Sequence, residues 1–184
     1  MTSCTDGDSD VLLGPRLAEL FPDVREVAAV LTDKRLTVAV AESCTGGLLG
    51  AVLTSVPGSS SYFRGGVIAY ANEIKSELLG VEAELIGRHG AVSPEVAASM
   101  AEGARRFCDA EIGIGVTGVA GPDSGGPDKP AGLIHVAAAW GGQGRHLGDR
   151  HVELRLEGGR EENRAAAVRA GLRLLVEIAS SDTW

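Results

Sequence analysis

Residues 36–56, LTVAVAESCTGGLLGAVLTSV, constrain the fold more than any other stretch. An apolar run from Leu36 ends on an acid, a serine, a cysteine, a threonine and two glycines, and a second apolar run follows from Leu48 to Val56. The first run reads as a buried strand, the second as a helix entered through a turn. Similar alternation continues. Residues 65–71 are strand-like, and 72–80 read as a helix with Asn72 as N-cap and Gly80 as stop. Residues 93–108 read as a helix capped by Ser93, with Pro94 in its first turn. A third strand is expected at 111–118. Two further strands, 133–140 and 145–158, are joined by GGQG as a hairpin, and an amphipathic helix spans 160–180. Residues 15–33 carry helical periodicity, with Pro22 opening a second piece. Strands alternating with helices and ending in a hairpin argue an α/β layered fold with a mixed sheet.

Composition narrows the function classes. Aromatics make up 4% of the chain, so Ala, Val, Leu and Ile must fill the core. The 184 residues suit one domain, expected over 11–184, behind an acidic tail (1–10) that reads as disordered. The net charge is −8 and no basic run is present, which argues against a nucleic-acid partner. No apolar stretch approaches the ~20 residues that span a bilayer, and the first ten residues lack the features of a secretory signal. Three cysteines (Cys4, Cys44, Cys108) make no disulfide framework. A cytoplasmic protein is expected. No CxxC, HExxH or paired-histidine spacing supports a metal, and His89, His135, His146 and His151 suit structural or exposed roles.

Ser43 stands between strand and helix. A helix cap and a nucleophile both suit that position, and the two roles compete for one hydroxyl. The esterase elbow G-x-S-x-G is absent, because Ala41 and Thr45 replace its glycines, and Gly46 occupies the lysine place of S-x-x-K. Any base must come from elsewhere. Cys44 is a rival nucleophile, or a small buried thiol. Gly46 and Gly47 either bring backbone N–H groups to an anion or allow tight packing. In the loop GPDSGGPDKP, Pro127 stands where a P-loop needs lysine. The chain holds fourteen arginines and three lysines (Lys34, Lys75, Lys129), so each lysine invites a reason. Lys75 falls in the first turn of a helix, where the dipole disfavours a cation and so helps make a base. A solvated lysine beside Glu73 and Glu77 is the alternative.

AESCTGGLLGAVLTSVPGSSSYFRGGVIAYANEIKSELLGV (41–81), AVSPEVAASMAEGAR (91–105) and VTGVAGPDSGGPDKPAGLIHVA (116–137), with EGGREENRAAAVRAGL (157–172), closely resemble the CinA C-terminal domain family, also called the nicotinamide-nucleotide amidohydrolase (PncC) family. The resemblance spans about residues 11–180. It implies a three-layer α/β/α domain with a mixed, mostly parallel sheet of about five strands, a homodimer, and no cofactor. It implies hydrolysis of the carboxamide of nicotinamide mononucleotide, giving nicotinate mononucleotide and ammonia. Ser43 matches the family's proposed nucleophile. Tyr70 and Lys75 match the partners of a Ser-Tyr-Lys centre. Thr117, followed by Gly118, matches a threonine beside the substrate, and the late arginine falls at Arg160 or Arg164. Thr45, Gly46 and Gly47 are the expected oxyanion or phosphate donors. Two alternatives stand beside this reading: a non-catalytic nucleotide-binding or regulatory module, and a thiol enzyme using Cys44. A competence or DNA-repair role hangs on the family name alone.

Overall fold

Side-chain alternation decides how the sheet is covered. In β1 (Val38–Glu42), Val38 and Val40 face one helical layer, while Ala39 and Ala41 face the other. The computed structural model of the protein describes residues 16–142 and 146–181. The acidic tail over 1–10 and the later part of the GGQG turn lie outside the described residues. In chain order the elements are α1 (Leu17–Leu20), α2 (Val24–Lys34), β1, α3 (Leu48–Thr54), β2 (Phe63–Ile68), α4 (Asn72–Leu79), α5 (Ala83–His89), α6 (Pro94–Phe107), β3 (Ile112–Gly118), β4 (Leu133–Trp140), β5 (Gly148–Arg155) and α7 (Arg160–Ser180).

The sheet order is β2-β1-β3-β4-β5. β2, β1 and β3 pair parallel, and β4 pairs antiparallel to both β3 and β5. Thus β4 alone runs against the other four strands, and the layered α/β fold expected from the sequence is present. Helices α2, α3 and α7 pack on one face with Ile112, Ile114, Ile134 and Val136. Helices α4, α5 and α6 cover the other.

On that second face β3 presents Gly113 and Gly115. A Cβ on Gly113 would lie 2.0 Å from the Ala101 carbonyl oxygen, and one on Gly115 2.2 Å from that of Ala97. Helix α6 therefore rests on the sheet backbone to backbone, which only these glycines allow. Its start is fixed as expected, with Ser93 Oγ accepting from the Val96 amide at 3.3 Å.

Several local expectations are corrected. Helix α5 falls in residues 81–92, where no element is evident from sequence, because it is short and its N-cap, Glu82, makes no side-chain bond. Asn72 is the first helical residue of α4, and Ala71, in extended conformation, is its N-cap. Gly80 does end α4, in the left-handed region at φ 68°. Strand β2 runs Phe63–Ile68, so Tyr70 lies beyond it, in the connection to α4. No helix among the described residues is long and apolar enough to cross a membrane.

Candidate active site

The carboxyl ends of β2, β1 and β3 open on one edge of the sheet, the usual place for ligands in open α/β folds. Ser43 lies there, directly after β1. Its amide donates to the Val116 carbonyl of β3 at 2.9 Å, while the Ala69 amide donates to the Glu42 carbonyl at 2.7 Å. The backbone at Ser43 is thus stitched to strands on both sides.

Helix α3 begins only at Leu48, and its N-cap is Gly47, at φ 93°. Its first amides are taken by Glu42. Oε2 accepts from Gly47 at 3.0 Å and Leu49 at 3.1 Å, and Oε1 accepts from Gly50 at 2.8 Å. This carboxylate is 1% exposed, and the positive end of the helix suits its charge. Because Glu42 caps the helix, the Ser43 hydroxyl is released from that duty.

Its hydroxyl partner is Lys75. Nζ lies 3.5 Å from Ser43 Oγ, 2.9 Å from the Ala69 carbonyl and 3.3 Å from the Tyr70 carbonyl. Lys75 is 1% exposed, at the start of α4. Burial pulls its pKa below the ordinary lysine value, while Cys44 and Glu73 oppose the shift. A neutral amine has two N–H bonds and one lone pair. Two carbonyls can take the N–H bonds, leaving the lone pair for the serine proton.

Ser43 and Lys75 lie in an open cleft of about 320 Å³, also lined by Tyr70, Thr117, Gly118 and Arg160. That size suits a nucleotide-sized ligand. Arg160 donates to the Tyr70 phenol at 3.0 Å. Arg160 also donates to the Gly121 carbonyl at 3.0 Å, bridging two rims of the cleft. Thr117 donates to the Ala91 carbonyl at 2.7 Å, which ties the end of β3 to the wall before α6. Gly118 permits close pairing with β4, since a Cβ there would sit 2.7 Å from Ile134 Cα.

Four expected site residues are not brought to the cleft. The Gly46 amide donates to the Ser43 carbonyl and that of Gly47 to Glu42, so neither amide is available to an anion. The pair supplies positive φ for the turn instead, 61° and 93°. Thr45 is fully buried, with no partner for its Oγ1. Arg164 is paired with Glu161 at 2.9 Å and donates to the Thr45 carbonyl at 2.9 Å, so it holds the turn from behind.

Cys44 lines the cleft, but burial pushes its thiol up to about 11, with the Glu42 charge adding to the effect. That disfavours a thiolate nucleophile. The histidines pair elsewhere. His135 Nδ1 lies 2.9 Å from His151 Nε2, His146 contacts Glu102 and Asp149, and His89 contacts Glu95. Among the described residues no group of three or more His, Cys, Asp or Glu is placed to hold a metal.

Sequence reasoning missed Glu42 and Asn163 as positioning groups. The signal for Glu42 was an acid ending an otherwise apolar strand. Asn163 is 2% exposed and donates to the carbonyls of Ala120 and Gly158 at 3.0 and 2.8 Å. It fixes the first turn of α7, and with it Arg160.

Comparison with known proteins agrees with this architecture. The family model for the CinA C-terminal domain matches residues 23–179. A putative competence-damage inducible protein of Halothermothrix orenii is 50% identical over 78% of this chain and 33% of its own length. A CinA-like protein of Gemmatimonas aurantiaca is 54% identical over 74% of this chain and 31% of its own. The chain therefore spans about a third of the length of these relatives. Among solved structures, the competence/damage inducible protein CihA from Agrobacterium tumefaciens superposes with TM-score 0.80 at 38% identity, covering 91% of this chain and 98% of that one. A CinA superfamily protein from Klebsiella pneumoniae gives 0.81 at 31% identity, covering 88% and 98%. With its fold, its length of match and its identity to these proteins, the chain belongs to the CinA C-terminal domain family.

Proposed function

We propose that the protein is an amidohydrolase that removes the carboxamide nitrogen of nicotinamide mononucleotide, giving nicotinate mononucleotide and ammonia. The observation that carries this reading is the buried Lys75 amine, 3.5 Å from the Ser43 hydroxyl at the floor of an open cleft. Neutral Lys75 takes the hydroxyl proton as Ser43 Oγ attacks the carboxamide carbon. The Cys44 amide follows Ser43 directly, at a residue that lines the cleft, and donates to no carbonyl or carboxylate among the described residues. We assign the developing oxyanion to it, in place of Thr45 and the glycine pair. Lys75 then returns the proton to the amide nitrogen, and the C–N bond breaks to release ammonia. Water, deprotonated by the same amine, hydrolyses the acyl ester and restores Ser43.

In this scheme Lys75 acts directly. The Tyr70 phenol turns towards Arg160 and serves at the mouth of the cleft rather than as a proton relay. The assay is ammonia release from nicotinamide mononucleotide by the purified protein. Turnover is expected, with a loss of at least ~10³-fold in both Ser43→Ala and Lys75→Met. A folded protein that releases no ammonia above background would refute the reading. So would a Ser43→Ala variant that keeps its turnover.

A further inference from the structure

Lys129 is the lysine that the cleft chemistry leaves without a task. Lys75 serves the floor, and Lys34 donates to the Ser181 carbonyl at 3.4 Å. The Lys129 side chain makes no hydrogen bond or ion pair among the described residues. It stands near the end of the Gly- and Pro-rich loop 121–132, whose early residues Gly121 and Asp123 line the cleft. That loop is a built arch. The Gly125 amide donates to the Lys129 carbonyl at 2.8 Å, and the Lys129 amide to the Gly126 carbonyl at 3.1 Å. Its two ends meet, because a Cβ on Gly121 would lie 3.4 Å from the Cβ of Ala131.

From this arch the Lys129 side chain crosses to Gly90. Its ammonium lies so close that a Cβ on Gly90 would come within 1.9 Å of Nζ. Gly90 directly precedes Ala91 and Val92, which form one wall of the cleft. A cation with no ion pair among the described residues is therefore lodged one residue behind that wall, directly against Gly90. Across the cleft, Arg160 is bonded to two neutral oxygens, the Tyr70 hydroxyl and the Gly121 carbonyl. Its neighbour Arg164 is ion-paired with Glu161, whereas both hydrogen-bond partners of Arg160 are neutral and Glu161 acts on it only through space. Two such cations approach from different sides, in a chain of net charge −8. Asp123 is a carboxylate at the same mouth, and the two cations outweigh it.

We propose that Lys129 and Arg160 together grip the phosphate of a phosphomonoester ligand, with Lys129 swinging on its flexible stem from its place against Gly90 into the cleft. A phosphomonoester carries close to two negative charges near neutral pH and three acceptor oxygens. Two cations from different directions match it better than they match a carboxylate. Lys129 would then be the group that distinguishes a nucleotide from its nucleoside. This deepens, and rests on, the reading of the cleft as a nucleotide amidohydrolase site.

The test measures binding, in a Ser43→Ala background where nothing is expected to turn over. Dissociation constants are determined for inorganic phosphate, nicotinamide mononucleotide and nicotinamide riboside, with Lys129 intact, as Lys129→Met and as Lys129→Arg. Lys129→Met is expected to weaken inorganic phosphate and the mononucleotide by about tenfold or more, the range of a lost charge-assisted hydrogen bond. The riboside should be unaffected, and Lys129→Arg should recover most of the loss. Equal phosphate affinity with and without Lys129 overturns the proposal, as does absence of phosphate binding with Lys129 intact. Weakening of all three ligands alike overturns it too, because that marks a change of shape. If the unmutated protein releases no ammonia but phosphate binding still depends on Lys129, the amidohydrolase reading fails and the phosphate grip stands.

Discussion

Replacing Glu42 by glutamine tests how the nucleophile turn is built. The carboxylate accepts three amide hydrogen bonds, two at Oε2 and one at Oε1, and is almost fully buried. Glutamine keeps one carbonyl oxygen. That oxygen can serve Gly47 and Leu49, but the amide NH₂ then faces the Gly50 N–H donor to donor. Leaving a buried donor unpaired costs about 1–3 kcal/mol. Losing the charge at the α3 N-terminus adds about 0.3–1 kcal/mol. The expected total is roughly 1–4 kcal/mol, or a fall of roughly 3–16 °C in Tm for a chain of this size. Urea unfolding gives the free energy and a thermal scan the midpoint. Glu42→Asp should be no milder, because its shorter stem cannot reach all three amides. A Glu42→Gln variant within about 0.5 kcal/mol of the parent would refute this account, since it would mean that the helix start does not need the carboxylate.

Three further outcomes follow from the geometry. Lys75 has a lowered pKa in the fold, so between that value and the ordinary ~10.4 the unfolded chain binds the extra proton. Stability should therefore rise with pH in that window and level off below it, and Lys75→Met should remove this part of the slope in urea titrations run from pH 7 to 10. Cys44, pushed up to about 11 by burial, should resist alkylation in the folded protein at pH 8.5 and react once unfolded; rapid labelling of native Cys44, mapped by mass spectrometry, would contradict its burial. Gly115→Ala should destabilise by about 1–3 kcal/mol or more, because the added methyl meets the Ala97 carbonyl and Ala101 amide, and a Tm within about 2 °C of the parent would show that α6 can lift away.

The strand–helix alternation was legible because the buried strands carry unbroken apolar runs and α6 carries both a cap and a proline. Ser43 and Lys75 were nameable from their positions, the scarcity of lysine and the family resemblance. Their meeting was not, because 32 residues separate them. It depends on the parallel register of β1 and β2, in which Glu42 lies opposite Ile68. That register sets Ser43 beside Ala69, and the start of α4 then turns Lys75 back onto the hydroxyl. Glu42 stood out only as an acid ending an apolar strand, since nothing local reveals that three later amides fold back onto it. The glycine pair was ambiguous for a related reason. Positive φ and anion binding favour the same residue, and only the amide partners separate the two. Arg160 and Arg164 are one helical turn apart, so the choice between them rested on what each guanidinium meets.

The contact between α6 and the glycines of β3 makes the cleft a vise with one fixed jaw. The wall at Ala91 and Val92 leads into a helix seated on bare backbone, and Thr117 pins it to the end of β3. At Gly113 and Gly115 the helix backbone itself meets the strand, with Met100 packed beside the contact, so shortening a side chain does not by itself move that jaw back to admit a bulkier ligand. The other jaw is the 121–132 arch, which Arg160 holds through the Gly121 carbonyl and which sends the Lys129 side chain to Gly90. Variants selected for a larger or differently charged substrate should therefore carry their changes in the arch and around Arg160, while the glycines under α6 stay unchanged.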